Sequence, residues 1–126
     1  MKQAQIIAPS VLNANFLNLQ SELNAIEKGG AGLVHLDIMD GHFVPNISFG
    51  PGISGLIGKA TNLPLDCHLM IDNPELFVDE FVKIGARYVT IQAESTIHLD
   101  RILNRIRELG AKPAVSINPA TPIENI

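Results

Sequence analysis

Cysteine occurs once, at Cys67, tyrosine once, and tryptophan not at all. A single thiol cannot close an intrachain disulfide, so a stapled secreted scaffold is excluded and a reducing, cytoplasmic setting fits. So few large aromatics weigh against a stacking platform. Cationic charge is also scarce. Nine Lys and Arg stand against 13 Asp and Glu, a net charge of −4, which leaves no electrostatic footprint for nucleic acid. No apolar run approaches the roughly 18 residues of a membrane span, and no membrane partner is expected. The opening MKQAQIIAPS carries one lysine and no apolar stretch of signal-peptide length. What is present is apolar: 46% of the 126 residues are hydrophobic and 17% charged. That composition is the opposite of disorder, and the length suits a single domain, 1–126, with a real core.

Short apolar or alternating runs take turns with longer amphipathic ones. Strands are predicted at 6–10, 33–39, 65–70, 88–93 and 113–118. Between them, apolar residues recur at three- and four-residue spacing, the helical period. Phe16, Leu19, Leu23 and Ile26 form one such stripe, and Leu99, Ile102, Leu103, Ile106 and Leu109 another. A helix over 75–84 opens on Asn73-Pro74, a cap followed by a first-turn proline. Residues 52–59 form a weaker, glycine-interrupted helix, and Gly50-Pro51-Gly52 before it reads as a turn. Gly30-Ala31, Gly85-Ala86 and Gly110-Ala111 each lie between a helical pattern and a strand, where glycine suits the left-handed residue that ends a helix. One βα unit is thus used repeatedly, which implies a parallel sheet with helices outside it. Thr121-Pro122-Ile123-Glu124 has the form of a capping box, announcing a helix that the chain, stopping at Ile126, leaves undelivered. The expectation is a chain truncated before further βα units.

Alternation places strand residues two apart on one face. Over 33–39, Val34, Leu36 and Ile38 oppose Leu33, His35, Asp37 and Met39. Over 65–70, Leu65, Cys67 and Leu69 oppose Asp66, His68 and Met70. Val89 and Ile91 oppose Tyr88, Thr90 and Gln92, and Val115 and Ile117 oppose Ala114, Ser116 and Asn118. A parallel sheet covered by helices on both sides would be apolar on both faces. A closed barrel has an apolar outer face and a polar interior, with its active site at the C-terminal ends of the strands. The expected fold is therefore α/β, a TIM (β/α)8-type barrel, with about five of its strands in this chain. His35, Asp37 and His68 fall at that polar end. Two imidazoles and a carboxylate on rigid strands suit one divalent metal ion: zinc, iron, manganese or cobalt. Taken singly, each would be an ordinary hydrogen-bonded core residue; their common face and end argue for a site. Met39 and Met70 follow the polar pairs, either as gap-filling core or as an apolar lining that excludes water. Ser10 ends the first strand and is a substrate-contact candidate by that position. The apolar loop Asp40–Asn46 is a rim segment or lid; His42 and His98 are read as surface residues.

The stretches IAPSVLNANF, VHLDIMDGHFVPNISFGP, LDCHLMIDNPE and INPATP resemble the ribulose-phosphate 3-epimerase family over essentially the whole chain, and cover the first half or slightly more of that family's barrel. The resemblance implies a metal held by His35, Asp37 and His68, with Asp37 also the acid/base on one face of the substrate. A second aspartate, on a later strand, would serve the other face. It further implies that Ser10 and His68 contact a sugar phosphate, that Met39 and Met70 line the site, and that the whole enzyme is a homo-oligomer of the pentose phosphate pathway. The reaction so implied interconverts D-ribulose 5-phosphate and D-xylulose 5-phosphate through an enediolate. Gln92 stands where many relatives carry histidine. The second aspartate and the glycine-rich phosphate segments are missing, so little or no activity is expected of these 126 residues alone. Two other readings compete. One is a hexulose-phosphate (allulose 6-phosphate) 3-epimerase, which would keep the same metal and Asp37. The other is a non-catalytic half-barrel that self-associates through exposed strand edges.

Overall fold

The computed structural model describes residues 5–126. Four strands, β1 (Val34–Met39), β2 (Leu65–Met70), β3 (Ala86–Gln92) and β4 (Lys112–Ser116), form one parallel sheet in the order β1-β2-β3-β4. Helices α1 (Leu19–Lys28), α2 (Pro51–Ala60), α3 (Val78–Lys83) and α4 (Leu99–Glu108) alternate with them. Strand order follows chain order with no reversal, unlike a doubly wound sheet. Val34, Leu36, Leu65, Cys67, Leu69, Val89 and Ile91 build one buried core with Leu23, Ile57, Phe81, Ile102 and Ile106 of the helices. The opposite strand face is half-buried and polar. This is the βα repeat of a partial TIM barrel, helices outside and polar residues within. Among the described residues no helix is long and apolar enough to cross a membrane.

The glycine-ended helices form as expected. Gly30, Gly85 and Gly110 have φ of 86°, 98° and 93°. After α1 and α4, the next amides close back onto Ile26 and Ile106 carbonyls at 3.1 Å, the bond pattern of a Schellman ending.

Four expectations need correcting. Residues 6–10 are extended beside β1 but form no full strand. The Gly32 and His35 amides donate to Ile7 and Pro9 carbonyls at 2.9 Å, and Ser10 makes an isolated bridge to His35. Pro9 has no N–H to return, so the ladder stays sparse; the five strands expected are four and an extended edge. Gly50-Pro51-Gly52 is the start of α2, with Pro51 in its first turn. Gly58 within it is a packing device as well: a Cβ there would meet Leu65 Cδ1 at 3.0 Å. Asn73 adopts a left-handed φ of 54° and caps nothing with its side chain. Pro74–Leu76 is a 3₁₀ turn, and the helix expected over 75–84 shrinks to α3. Finally, the Thr121 hydroxyl donates to Glu94, 27 residues away, so it caps nothing; only a 3₁₀ turn, Ile123–Asn125, follows.

Candidate metal centre

Parallel register sets Asp37 beside His68, and His35 beside Asp66. All four point to the polar face because each lies an even number of residues from its strand-mate. One ligand atom from each of His35, Asp37 and His68 lies within 4.8 Å of the others. His35 Nε2 is 3.2 Å, and His68 Nδ1 3.8 Å, from Asp37 Oδ1. The side chains are 17–23% exposed, open enough for a small ligand and sheltered enough to strengthen electrostatics.

The outer nitrogens decide what the inner ones can do. His35 Nδ1 is 2.8 Å from Asp66 Oδ2, and His68 Nε2 is 3.0 Å from Gln92 Oε1. The atoms that face them, a carboxylate oxygen and the Gln92 amide oxygen, can only accept, which calls for a proton on each outer nitrogen. That leaves lone pairs on His35 Nε2 and His68 Nδ1, turned toward the Asp37 carboxylate. Three electron-pair donors converge with no proton required between them. Positive charge is what such a cluster lacks, and the donors are those of zinc, iron, manganese or cobalt sites. The residues therefore fit a divalent ion. Donation from Nδ1 to the Asp66 carboxylate raises the affinity of His35 for a second proton; partial burial opposes this, and the Asp37 charge reinforces it.

Of the other candidates, Ser10 donates its hydroxyl to Asp37 Oδ2 and also accepts from the Leu12 amide. Met39 and Met70 are register partners, half-buried at the strand ends beyond the cluster. The Ser48 hydroxyl, 2.6 Å from the Asp37 carbonyl and 2.9 Å from the Met39 amide, ties the following loop to β1. That loop is a pinned rim. Asp40 accepts from the amides of His42, Phe43 and Asp72 at 2.8–2.9 Å. Burial would raise the Asp40 carboxyl, but these donors outweigh it and hold it below the ordinary range. His42 is exposed, as expected, and pairs with Asp72; His98 is exposed too.

Sequence reasoning passed over Asp66, Asn118 and Ser48 as site residues. Asp66 had a usable signal, its place on the same strand face two residues before His68. Asn118 and Ser48 reach the cluster only through tertiary contact.

A parallel βα sheet carrying a His–Asp–His cluster on its polar face is one side of a (β/α) barrel whose ligand atoms could hold a metal ion. The signature of the Ribulose-phosphate 3 epimerase family matches residues 6–126, and the chain belongs to that family. It is 47% identical over 120 residues to the ribulose-phosphate 3-epimerase of Bacillus subtilis, covering 95% of this chain and 55% of that one. It is 48% identical over 123 residues to the chloroplastic ribulose-5-phosphate-3-epimerase of Arabidopsis thaliana, covering 96% and 44%. With the ribulose-phosphate 3-epimerase of Methanocaldococcus jannaschii the identity is 47% over 120 residues, covering 95% and 50%. The chain thus spans about half the length of the curated relatives it matches. These matches do not favour the hexulose-phosphate alternative.

Proposed function

We propose that this chain supplies the metal-holding half of a ribulose-phosphate 3-epimerase, which moves the proton at C3 between D-ribulose 5-phosphate and D-xylulose 5-phosphate. The observation that carries the reading is the convergence of His35 Nε2, Asp37 Oδ1 and His68 Nδ1. An ion held there by His35, Asp37 and His68 would supply positive charge beside the oxygens on which negative charge develops. Asp37 is the proton carrier on one face of the substrate. Its Oδ2 is held by the Ser10 hydroxyl and its Oδ1 lies between the imidazoles, so the carboxylate is oriented before substrate arrives. Ser10 and His68 contact the sugar phosphate. Met39 and Met70 shield the mouth from water, which keeps a carboxylate basic. Inversion requires a second acid/base group on the opposite face, and no other carboxylate joins the cluster among the described residues.

The 126 residues alone are therefore expected to epimerise slowly or not at all. An assay coupling xylulose 5-phosphate formation to a reporter enzyme checks this, with the Asp37→Asn variant as the baseline. Turnover approaching that of a complete barrel, or turnover that survives Asp37→Asn, would overturn the assignment. A place in the pentose phosphate pathway, in a reducing, cytoplasmic setting that suits a free thiol such as Cys67, belongs to the same proposal.

A second reading is favoured by one observation. Val115 of β4 is 37% exposed, whereas its counterparts Leu36, Cys67, Val89 and Ile91 are fully buried. Uncovered apolar strand surface and an open edge favour association of one chain with another. Light scattering decides it: a strictly monomeric chain at high concentration speaks against self-association.

A further inference from the structure

We infer that Gln92 and Asn118 form an amide relay that sets which nitrogen of His68 carries the proton, making both residues positioning groups for the metal centre. The inference deepens the metal reading proposed above and rests on it for its consequence, though not for its geometry.

Gln92 is 4% exposed, and with Ser54 it makes up the buried polar side chains among the described residues. A buried amide is costly unless both its ends are bonded, and here both are. Oε1 accepts from His68 Nε2 at 3.0 Å, and Nε2 donates to Asn118 Oδ1 at 2.9 Å. An amide can be turned end for end in its pocket, and the two orientations dictate opposite histidines. With the oxygen toward His68, the ring must hold its proton on Nε2 and leave Nδ1 bare toward Asp37. With the NH₂ group toward His68, the ring must accept there and hold its proton on Nδ1, against the place where the ion would sit. Asn118 breaks the tie. It presents Oδ1 to Gln92, and an oxygen there can only accept, so it takes the NH₂ end of Gln92 and turns the Gln92 oxygen to His68; the polarity of the relay follows the orientation of the Asn118 amide.

The main chain of Asn118 is in turn held from outside the strand. Its main-chain amide donates to Glu94 Oε1 at 2.6 Å, Thr121 donates to the same oxygen, and the Thr121 amide closes a turn onto the Asn118 carbonyl at 2.9 Å. The relay therefore runs from the turn after β4, across the end of β3, to the β2 imidazole. It differs in kind from the support of His35, whose partner Asp66 is a carboxylate. A charged partner raises the basicity of a ligating ring more than a neutral amide does. The two imidazoles are thus held in register by unlike devices, one ionic and one neutral.

The test uses the 126-residue chain labelled with ¹⁵N at histidine. In the metal-free protein, well above the ordinary histidine range, His68 is expected as a single Nε2–H tautomer. Gln92→Leu is expected to give mixed tautomers and to weaken cobalt binding by roughly 10–100-fold, the usual cost of losing such a partner. Gln92→Glu, which keeps an acceptor, should restore the tautomer and most of the affinity. Should Gln92→Leu fail to fold, Asn118→Ala, at an exposed turn, is expected to mix the tautomers with a smaller loss of affinity. A pure Nε2–H tautomer in both Gln92→Leu and Asn118→Ala would overturn the relay. If the wild-type chain takes up no cobalt, the metal reading fails, and the tautomer of the metal-free ring still decides the relay.

Discussion

The carboxylate of Asp66 stands 2.8 Å from Nδ1 of His35, which leaves the other ring nitrogen, Nε2, 3.2 Å from Asp37. The first contact is not sequence-local: Asp66 is 31 residues from His35 along the chain and beside it only because β1 and β2 pair in parallel, whereas Asp37 lies two residues further along β1 itself. If the carboxylate both fixes the tautomer and adds basicity, Asp66→Asn should lower affinity for a divalent ion by roughly 10–100-fold. Calorimetric titration with zinc is the measurement, with circular dichroism to show an intact fold. Unchanged affinity would mean that His35 orients itself without help.

Cys67 tests burial of the strand face opposite the site. Removal from water pushes its thiol up to about 12, with the negative charge of Asp66 adding to the effect. The folded chain then keeps its thiol neutral where an unfolded cysteine ionises, near pH 8.5. The sign follows: this contribution to stability is complete below the unfolded value and is lost as pH climbs toward the folded one. At pH 8 a thiolate-directed disulfide reagent should leave the native chain unlabelled and react promptly in denaturant. Equal rates in both states would contradict the buried placement.

Gly85 separates backbone strain from packing. It sits at φ 98° with no atom within 4 Å of where a Cβ would lie. Gly85→Ala should therefore destabilise by about 1–2 kcal/mol from the left-handed conformation alone. Urea unfolding reads the difference, and a neutral result would show that the helix end relaxes.

Two apolar side chains at opposite extremes of burial give a further contrast. Phe81 is wholly buried and Leu17 is 94% exposed. Phe81→Ala should cost about 3–5 kcal/mol, and Leu17→Ala should stay within about 0.5 kcal/mol. If Leu17→Ala instead changes the molecular size in solution, that residue belongs to an association surface.

Period-two alternation made the site's strands legible. Val34, Leu36 and Ile38 bury one face, so His35 and Asp37 had to share the other, and the same rule placed His68. The recurring Gly-Ala pairs marked the helix ends because a left-handed residue has few substitutes for glycine. Local rules failed where a distant partner outbid them. Thr121 had the spacing of a helix cap, but its hydroxyl found Glu94. Asn73 preceded a proline as a cap would, yet took a left-handed turn. Residues 6–10 had strand composition, and Pro9 thinned their ladder. Alternation put Gln92 and Asn118 on the same polar face, but the bond between them was out of its reach, since it joins the end of β3 to a residue beyond β4.

The decisive experiment is a crystal of the zinc-soaked chain, measured at the zinc absorption edge. One anomalous peak is expected at about 2.0–2.2 Å from His35 Nε2, Asp37 Oδ1 and His68 Nδ1 together, with Asp66 and Gln92 still bonded to the outer ring nitrogens. A peak on any other set of atoms, or a His68 ring turned to present Nε2, would contradict the centre described here.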